Sequence, residues 1–395
     1  MIARLAGLRD RLMPLGIPLA WRQLSAQKLR LCAAVAGITV ASVMMMMQLG
    51  FRDALFRSNT LLHERLNGDL VMVSRRYQSL ISAESFPRGR LEQTLGSADV
   101  ASVASVCVGG LSWKNPETMQ ERDIFVIGIQ PDGKALMFPD STPDLEQLKL
   151  KGVVLFDAQS RKEFGPIEHM LSAKGIVSTE LGGNRVRVGG VFRLGSSFAA
   201  DGNLLTSDAT FRHLLSRANG PIDIGLVRLR PGVDAGTARN LLASWLPADV
   251  RLFTRPEYIQ LERQYWADHT PIGFVFMAGM VVAFLVGAVI VYQILYTDVV
   301  DHLKEYATLK AIGYTDRFLF GVVMQEAGLL SVFGFLPGCG VSLGIFALTR
   351  RITLLPAYFT ADSAALVLLL TVTMCLLAGY CAIGRLKSAD PAEIF

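Results

Sequence analysis

The sequence predicts a membrane protein with four transmembrane helices and a large mixed α/β extracytoplasmic domain between spans one and two. Three observations carry this reading. Of 395 residues, 51% are hydrophobic and only 18% are charged, where a soluble domain carries about a quarter charged residues; mean hydropathy is +0.38. Four segments (31–49, 272–296, 319–349 and 364–383) are apolar and long enough to cross a bilayer core of about 30 Å, which takes about 20 helical residues. Between the first two lie strand-like runs with Gly, Pro and Asn punctuation.

Residues 1–30 read as cytoplasmic amphipathic helices. Ile2, Leu5, Leu8 and Leu12 recur at helical spacing among arginines, and Leu19, Trp21 and Leu24 follow Pro14 and Pro18. A basic amphipathic helix with Trp suits a membrane surface. Arg4, Arg9, Arg11, Arg22, Lys28 and Arg30 against the single acid Asp10 put this end in the cytoplasm by the positive-inside rule. Span one, 31–50, reads as an uncleaved anchor because no small-residue cleavage site follows it.

Residues 51–270 then form the outer domain. Strands are expected at 69–73, 100–108, 123–129, 152–156, 185–192 and 223–229, and helices at 158–164, 207–217 and 235–245. At its borders Phe51, Leu55, Leu62 and Leu66, and again Tyr258, Leu261 and Tyr265, keep helical periodicity, with His63, Glu64, Glu262 and Arg263 assigned to other faces. Both flanking spans are therefore expected to continue outward as stalk helices that pair. A helix advances about 1.5 Å per residue, so such a stalk is a lever. Cys107 stands alone among Val and Gly and reads as a small core residue.

Span two, 271–297, places Gly279, Ala283 and Gly287 four apart on one face, a pattern that permits close helix approach within the protomer or across a dimer axis. Residues 298–316 form a short cytoplasmic helix: strong helix formers run to Ile312, Gly313 suits the left-handed stop, and Thr315-Asp316 suit the next helix start. Its exposed face is expected to mix Tyr306, Leu309 and Ile312 with Lys304, Glu305 and Lys310. Span three, 317–349, contains Pro337-Gly338, so a kink or split is expected. It also holds Gln325 and Glu326, and a carboxylate there must face protein or a crevice; it pairs with Lys28 or Arg30, or serves a relay. A short outer loop (350–362), span four (363–385) and a cytoplasmic tail (386–395) follow. Arg385 and Lys387 fit the cytoplasmic side; Arg350-Arg351 oppose the assignment.

Catalytic signatures are absent from the sequence. There is no GxxxxGK[ST], GxSxG or HExxH, and the five histidines show no metal-ligand spacing. The net charge of +5 is concentrated beside the spans, as topology requires, so nucleic acid is a poor partner. Neither a catalytic residue nor a directly bound cofactor is expected.

The stretch EYATLKAIGYTDRFL resembles the cytoplasmic coupling helix of permeases related to MacB, FtsX and the lipoprotein-releasing proteins. WRQLSAQKLRLCAAVAGI, MQEAGLLSVFGFLPG and the closing Asp390-Pro391-Ala392-Glu393 agree with it, and PLAWRQLSAQKLRL and MQLGFRDALF are most similar to the DevC-type permeases. The resemblance implies a MacB-like ABC permease fold and a homodimer in the bacterial inner membrane, with both termini cytoplasmic and the large domain periplasmic. It implies a DevA-like ATPase that brings ATP and Mg, docked on Lys304, Glu305, Tyr306, Leu309, Lys310, Ile312, Gly313 and Tyr314. It further implies a DevB-like membrane-fusion adaptor and a TolC-like outer-membrane channel, with export by mechanotransmission. Alternatives in the same superfamily are an FtsX-like regulator of a periplasmic hydrolase and a lipoprotein- or lipid-extracting permease. A receptor without an ATPase is the alternative outside it.

Overall fold

The computed structural model describes residues 28–139, 143–217, 220–353 and 358–386. The amphipathic pieces before Lys28 and the Asp390–Glu393 signature lie outside these residues. The chain divides into two compact units, with boundaries near residues 52 and 273.

In chain order the helices and strands are α1 Lys28–Asn59, α2 Leu61–Arg65, β1 Leu70–Ser74, β2 Phe86–Pro87, α3 Arg88–Gln93, β3 Val100–Lys114, β4 Glu121–Ile129, β5 Val153–Asp157, α4 Ile167–Lys174, β6 Val177–Leu181, β7 Asn184–Phe192, β8 Asn203–Ser207, α5 Asp208–Leu214, β9 Pro221–Ile222, β10 Ile224–Leu229, α6 Ala235–Trp245, β11 Val250–Thr254, α7 Arg255–Asp268, α8 Pro271–Asp301, α9 Leu303–Ala311, α10 Asp316–Thr353 and α11 Ala361–Leu386.

The outer unit is built on a nine-stranded mixed sheet in the order β11-β1-β10-β3-β4-β8-β5-β7-β6, which curls enough for Trp113 of β3 to pair with Leu181 of β6. Period-2 alternation divides each strand between two cores. Leu70 and Met72 of β1 face one cluster, and Val71 and Val73 the other; Ile124 and Val126 of β4 oppose Ile127 and Ile129 in the same way. The first face is covered by α3, α4, α5 and α6 through Leu91, Ile167, Phe211 and Leu242. The second receives α2 and α7 through Leu62, Leu66 and Tyr258.

Central strands such as β1 and β5 are buried along their whole length, so their sequences are continuous apolar runs. The edge strand β6 alternates buried and exposed residues, VSTEL. Glycine at 128 is a packing requirement: a Cβ there would lie 2.6 Å from the Phe211 Cβ, so α5 could not seat on the sheet.

The expected helix at 158–164 is reduced to a single 3₁₀ turn at Lys162–Phe164, because Gly165 and Pro166 follow at once. Strands β2, β6, β8, β9 and β11 and helices α3 and α4 are additions to the sequence reading.

Among the described residues four helices are long and apolar enough to cross a membrane: α1, α8, most of α10, and α11 to Ile383. Two expectations change. Span three is not split, for α10 contains Pro337 yet runs unbroken from Asp316 to Thr353. Proline is tolerated inside packed transmembrane helices; in the same turn, one residue beyond the carbonyl that Pro337 leaves without its helical donor, Thr39 Oγ1 of α1 donates to the Gly334 carbonyl at 3.0 Å. The second lever is not continuous: α7 ends at Asp268 and α8 begins at Pro271. The residue before proline disfavours helical backbone. By contrast α1 is one helix of 32 residues, about 48 Å long at 1.5 Å per residue.

Candidate functional site

The membrane unit carries the proposed coupling element at α9. Its C-terminus is fixed by two backbone bonds: the Gly313 N–H donates to the Lys310 carbonyl at 3.0 Å, and the Tyr314 N–H to the Leu309 carbonyl at 3.1 Å. This is the Schellman pattern, which needs a left-handed residue, and Gly313 has φ +107°. Lys310 Nζ and Asp316 Oδ1, 2.9 Å apart, close the corner from outside. Tyr314 packs on Phe318 with ring centroids 4.7 Å apart.

Burial sorts the expected coupling residues into two groups. Lys304, Glu305, Lys310, Ile312 and Gly313 are exposed, Ile312 at 71%. Tyr306, by contrast, is only 2% exposed. It packs with Val299, Leu319, Val323 and Ile383, and Leu309 leans against the same cluster. Tyr306 and Leu309 therefore anchor α9 to the spans, and the exposed face expected from sequence is corrected by that packing. Tyr314 is half-buried.

Above this anchor sits a polar cluster. Arg30 of α1 reaches Asp298 Oδ1 at 3.6 Å and Asp301 Oδ2 at 2.5 Å. His302 Nδ1 lies 3.0 Å from Glu305 Oε2. Glu326 is fully buried and lies beside Asp298, and among the described residues no ion pair ties it to Lys28 or Arg30. The base goes instead to the acids at the end of α8. Asp298 has no separate signal in sequence, because it follows an apolar run and reads only as the first residue of the short cytoplasmic helix. Gln325 is half-buried next to Glu326.

The small residues of α8 fit within the protomer. A Cβ at Gly287 would come 2.7 Å from that of Ala41 on α1 and 2.5 Å from Met374 Sδ on α11; at Gly279 it would meet Gln48 at 2.4 Å. Ala283 is buried with Met45, Met46, Phe335 and Val367. This stripe seats α8 against α1 and α11.

In the outer unit the stalk residues Leu62, Tyr258 and Leu261 share one core, and Leu55 is buried. Tyr265 stacks on His269, and in the membrane unit Phe51 meets Phe346 edge to face. His63 and Glu262, read from sequence as polar-face residues, are 0% and 1% exposed. Burying a carboxylate is costly without donors, and Glu262 has them. Tyr77 OH and Trp266 Nε1 donate at 3.0 Å each, and the Leu80 N–H donates at 3.0 and 3.2 Å to the two oxygens. Tyr258 OH donates in turn to Tyr77 OH at 2.8 Å. His63 Nε2 stands 3.3 Å from Glu262 Oε2 without forming a hydrogen bond. Burial first, then the neighbouring Tyr258 and Glu262, pushes the Tyr77 hydroxyl well above the usual phenol range. Among the described residues no group of three or more His, Cys, Asp or Glu could hold a metal ion.

Residues 277–391 match the family model of the FtsX-like permease C-terminal domain. Among solved structures, the chain is similar to the periplasmic region of MacB from Actinobacillus actinomycetemcomitans, at 15% identity and a TM-score of 0.35, covering 49% of this chain and 92% of that one. It is also similar to the extracellular domain of the noncanonic ABC-type transporter YknZ from Gram-positive bacteria, at 16% identity and a TM-score of 0.33, covering 47% of this chain and 99% of that one. A search of curated proteins finds no match. The matched residues 277–391 take in α9 and most of three of the four candidate spans, so it is this part of the chain that is similar to the FtsX-like permeases.

Proposed function

We propose that this chain is the permease subunit of an ABC exporter, and that it carries ATP-driven motion from the cytoplasm to the domain between its first two spans. The carrying observation is α9. A helix of nine residues is held to the spans by Tyr306 and Leu309 while Lys304, Glu305, Lys310 and Ile312 remain exposed. A plain inter-span turn has no use for so firm a mount, whereas an apolar residue ringed by charges suits a groove in a soluble partner. The partner in this reading is a DevA-like ATPase, which supplies ATP and Mg; the permease itself does no chemistry.

In the same reading the chain is of the DevC type and works as a homodimer in the inner membrane. Its termini are cytoplasmic and its α/β domain is periplasmic. A DevB-like adaptor and a TolC-like channel complete a tripartite efflux path. The continuity of α1 from the first span to Asn59 supports transmission by a rigid element.

The test is co-purification of the tagged chain from its host membranes. The wild type is expected to bring down an ATP-binding-cassette ATPase together with a membrane-fusion adaptor, and Ile312→Asp to lose the ATPase while still reaching the membrane. Recovery of a cell-wall hydrolase in place of the adaptor would favour the FtsX-like regulator. A chain that binds no ATPase would be a receptor, and the proposal would fall.

A further inference from the structure

Glu262 lies where three separately encoded pieces of the outer unit meet. Its carboxylate accepts from Tyr77 and from the Leu80 amide, both in the segment after β1, and from Trp266 on its own helix α7. It also faces His63 of α2. Tyr77 is gripped a second time, since Arg251 Nη2 of β11 donates to its carbonyl at 2.7 Å. These pieces lie on the sheet face that carries α2 and α7. An apolar residue at position 262 would fill the same volume without the desolvation cost of a charge. A buried acceptor on α7 that takes two donors from the segment after β1, and packs beside His63 of α2, gains registry between these pieces, which is the best-attested use of such groups.

A second fastening lies beside it. The Ser58 hydroxyl accepts from the Phe198 amide at 3.2 Å, and Asn59 Oδ1 from the Ala199 amide at 3.3 Å. The last turn of α1 is thus bound to the loop between β7 and β8. That loop is in turn held by buried Asp157, which accepts from the Leu194 and Gly195 amides. Phe198 of the loop meets Trp266, the residue that donates to Glu262, edge to face with centroids 6.0 Å apart.

We propose that Glu262 is the positioning residue of a joint that locks α2, α7 and the segment after β1 into one body, so that displacement of α1 reaches the β-sheet instead of being lost in local flexing. The inference rests on the proposed function and extends it to a named residue. Nothing in the α-helical periodicity of α7 requires a carboxylate at this position; the joint does.

The test uses the full chain with its co-purified ATPase in lipid nanodiscs, read by hydrogen–deuterium exchange with and without vanadate-trapped ATP. In the wild type, trapping is expected to change exchange in residues 77–82 and 194–200. In Glu262→Gln, ATPase capture and hydrolysis rate are expected to stay at the wild-type level, and the trapping-dependent change in those segments to disappear. The Leu80 amide should exchange about tenfold faster or more in either state, its charged acceptor having been lost. Should Glu262→Gln not reach the membrane, Tyr77→Phe and Trp266→Phe each remove one donor and leave the carboxylate, and each is expected to shrink the change in part. A full-sized change in all three variants would overturn the joint. Absence of any change in the wild type, with ATPase bound and active, would instead overturn transmission itself.

Discussion

Cys107 and Glu262 show how far burial decides what a residue does. Cys107 is 2% exposed among apolar neighbours. Burial, reinforced by the nearby Asp223 carboxylate, pushes its thiol up from 9.0 to about 11. Because the folded value is raised, this group stabilises the fold fully below pH 9, and the contribution is lost as pH rises toward 11. At pH 8 the folded thiol is protonated and shielded, and a protonated thiol is a poor nucleophile. Iodoacetamide at pH 8, followed by peptide mass spectrometry, is therefore expected to leave Cys107 unmodified until denaturant is added. Comparable labelling of Cys107 in the folded protein would show that this part of the core opens readily. Glu262 is the opposite case, a charge kept inside by its donors. Hydrogen bonds to charged groups are worth about 1.5–3 kcal/mol each, and the three donors, Tyr77, Trp266 and the shared Leu80 amide, offset a burial cost of several kcal/mol.

At the scale of elements, much of the fold was legible in the sequence and particular parts were not. Helix α6 was read at its observed bounds, and β4 and β7 within two residues. Their periodicity is clean and Gly or Pro stands at the ends. The strands β6, β8 and β11 have five residues each, too few for a period-2 pattern to exclude a loop even where Asp201-Gly202 or Pro256 stands beside them. Helix α9 and its glycine stop were readable because φ above zero leaves few choices but glycine. The buried face of that helix was not, since Tyr306 and Ile312 look alike in a sequence and only the packing of Leu319 and Ile383 distinguishes them. Likewise nothing local marks His63 and Glu262 as partners; they lie far apart in the chain and meet through the sheet.

The corner after α9 supports a comparison of two interactions. Lys310 and Asp316 are about half exposed, and such pairs contribute about 0–1 kcal/mol. Placing a β-branched residue at the left-handed position of Gly313 costs about 1–3 kcal/mol and also disturbs the Schellman bonds. Gly313→Val is therefore expected to lower the thermal midpoint in detergent and to weaken ATPase capture, while Asp316→Asn leaves both nearly unchanged. Equal losses in the two variants would mean that the ion pair, and not the backbone, sets the corner.

At the scale of the whole molecule, the chain joins a bundle of four apolar helices to an α/β domain through one unbroken helix, α1, and one broken pair, α7 and α8. The measurement that tests transmission most directly is the distance between two spin labels on one chain, at Val289→Cys on the exposed face of α8 and at Leu241→Cys on α6, in a background without native cysteines. Both sites are exposed, at 61% and 50%. With the ATPase bound in nanodiscs, the distance distribution is expected to shift on vanadate trapping of ATP, and to stay fixed when Ile312→Asp prevents the ATPase from docking. An identical distribution with and without trapped nucleotide, in a complex that hydrolyses ATP, would contradict it.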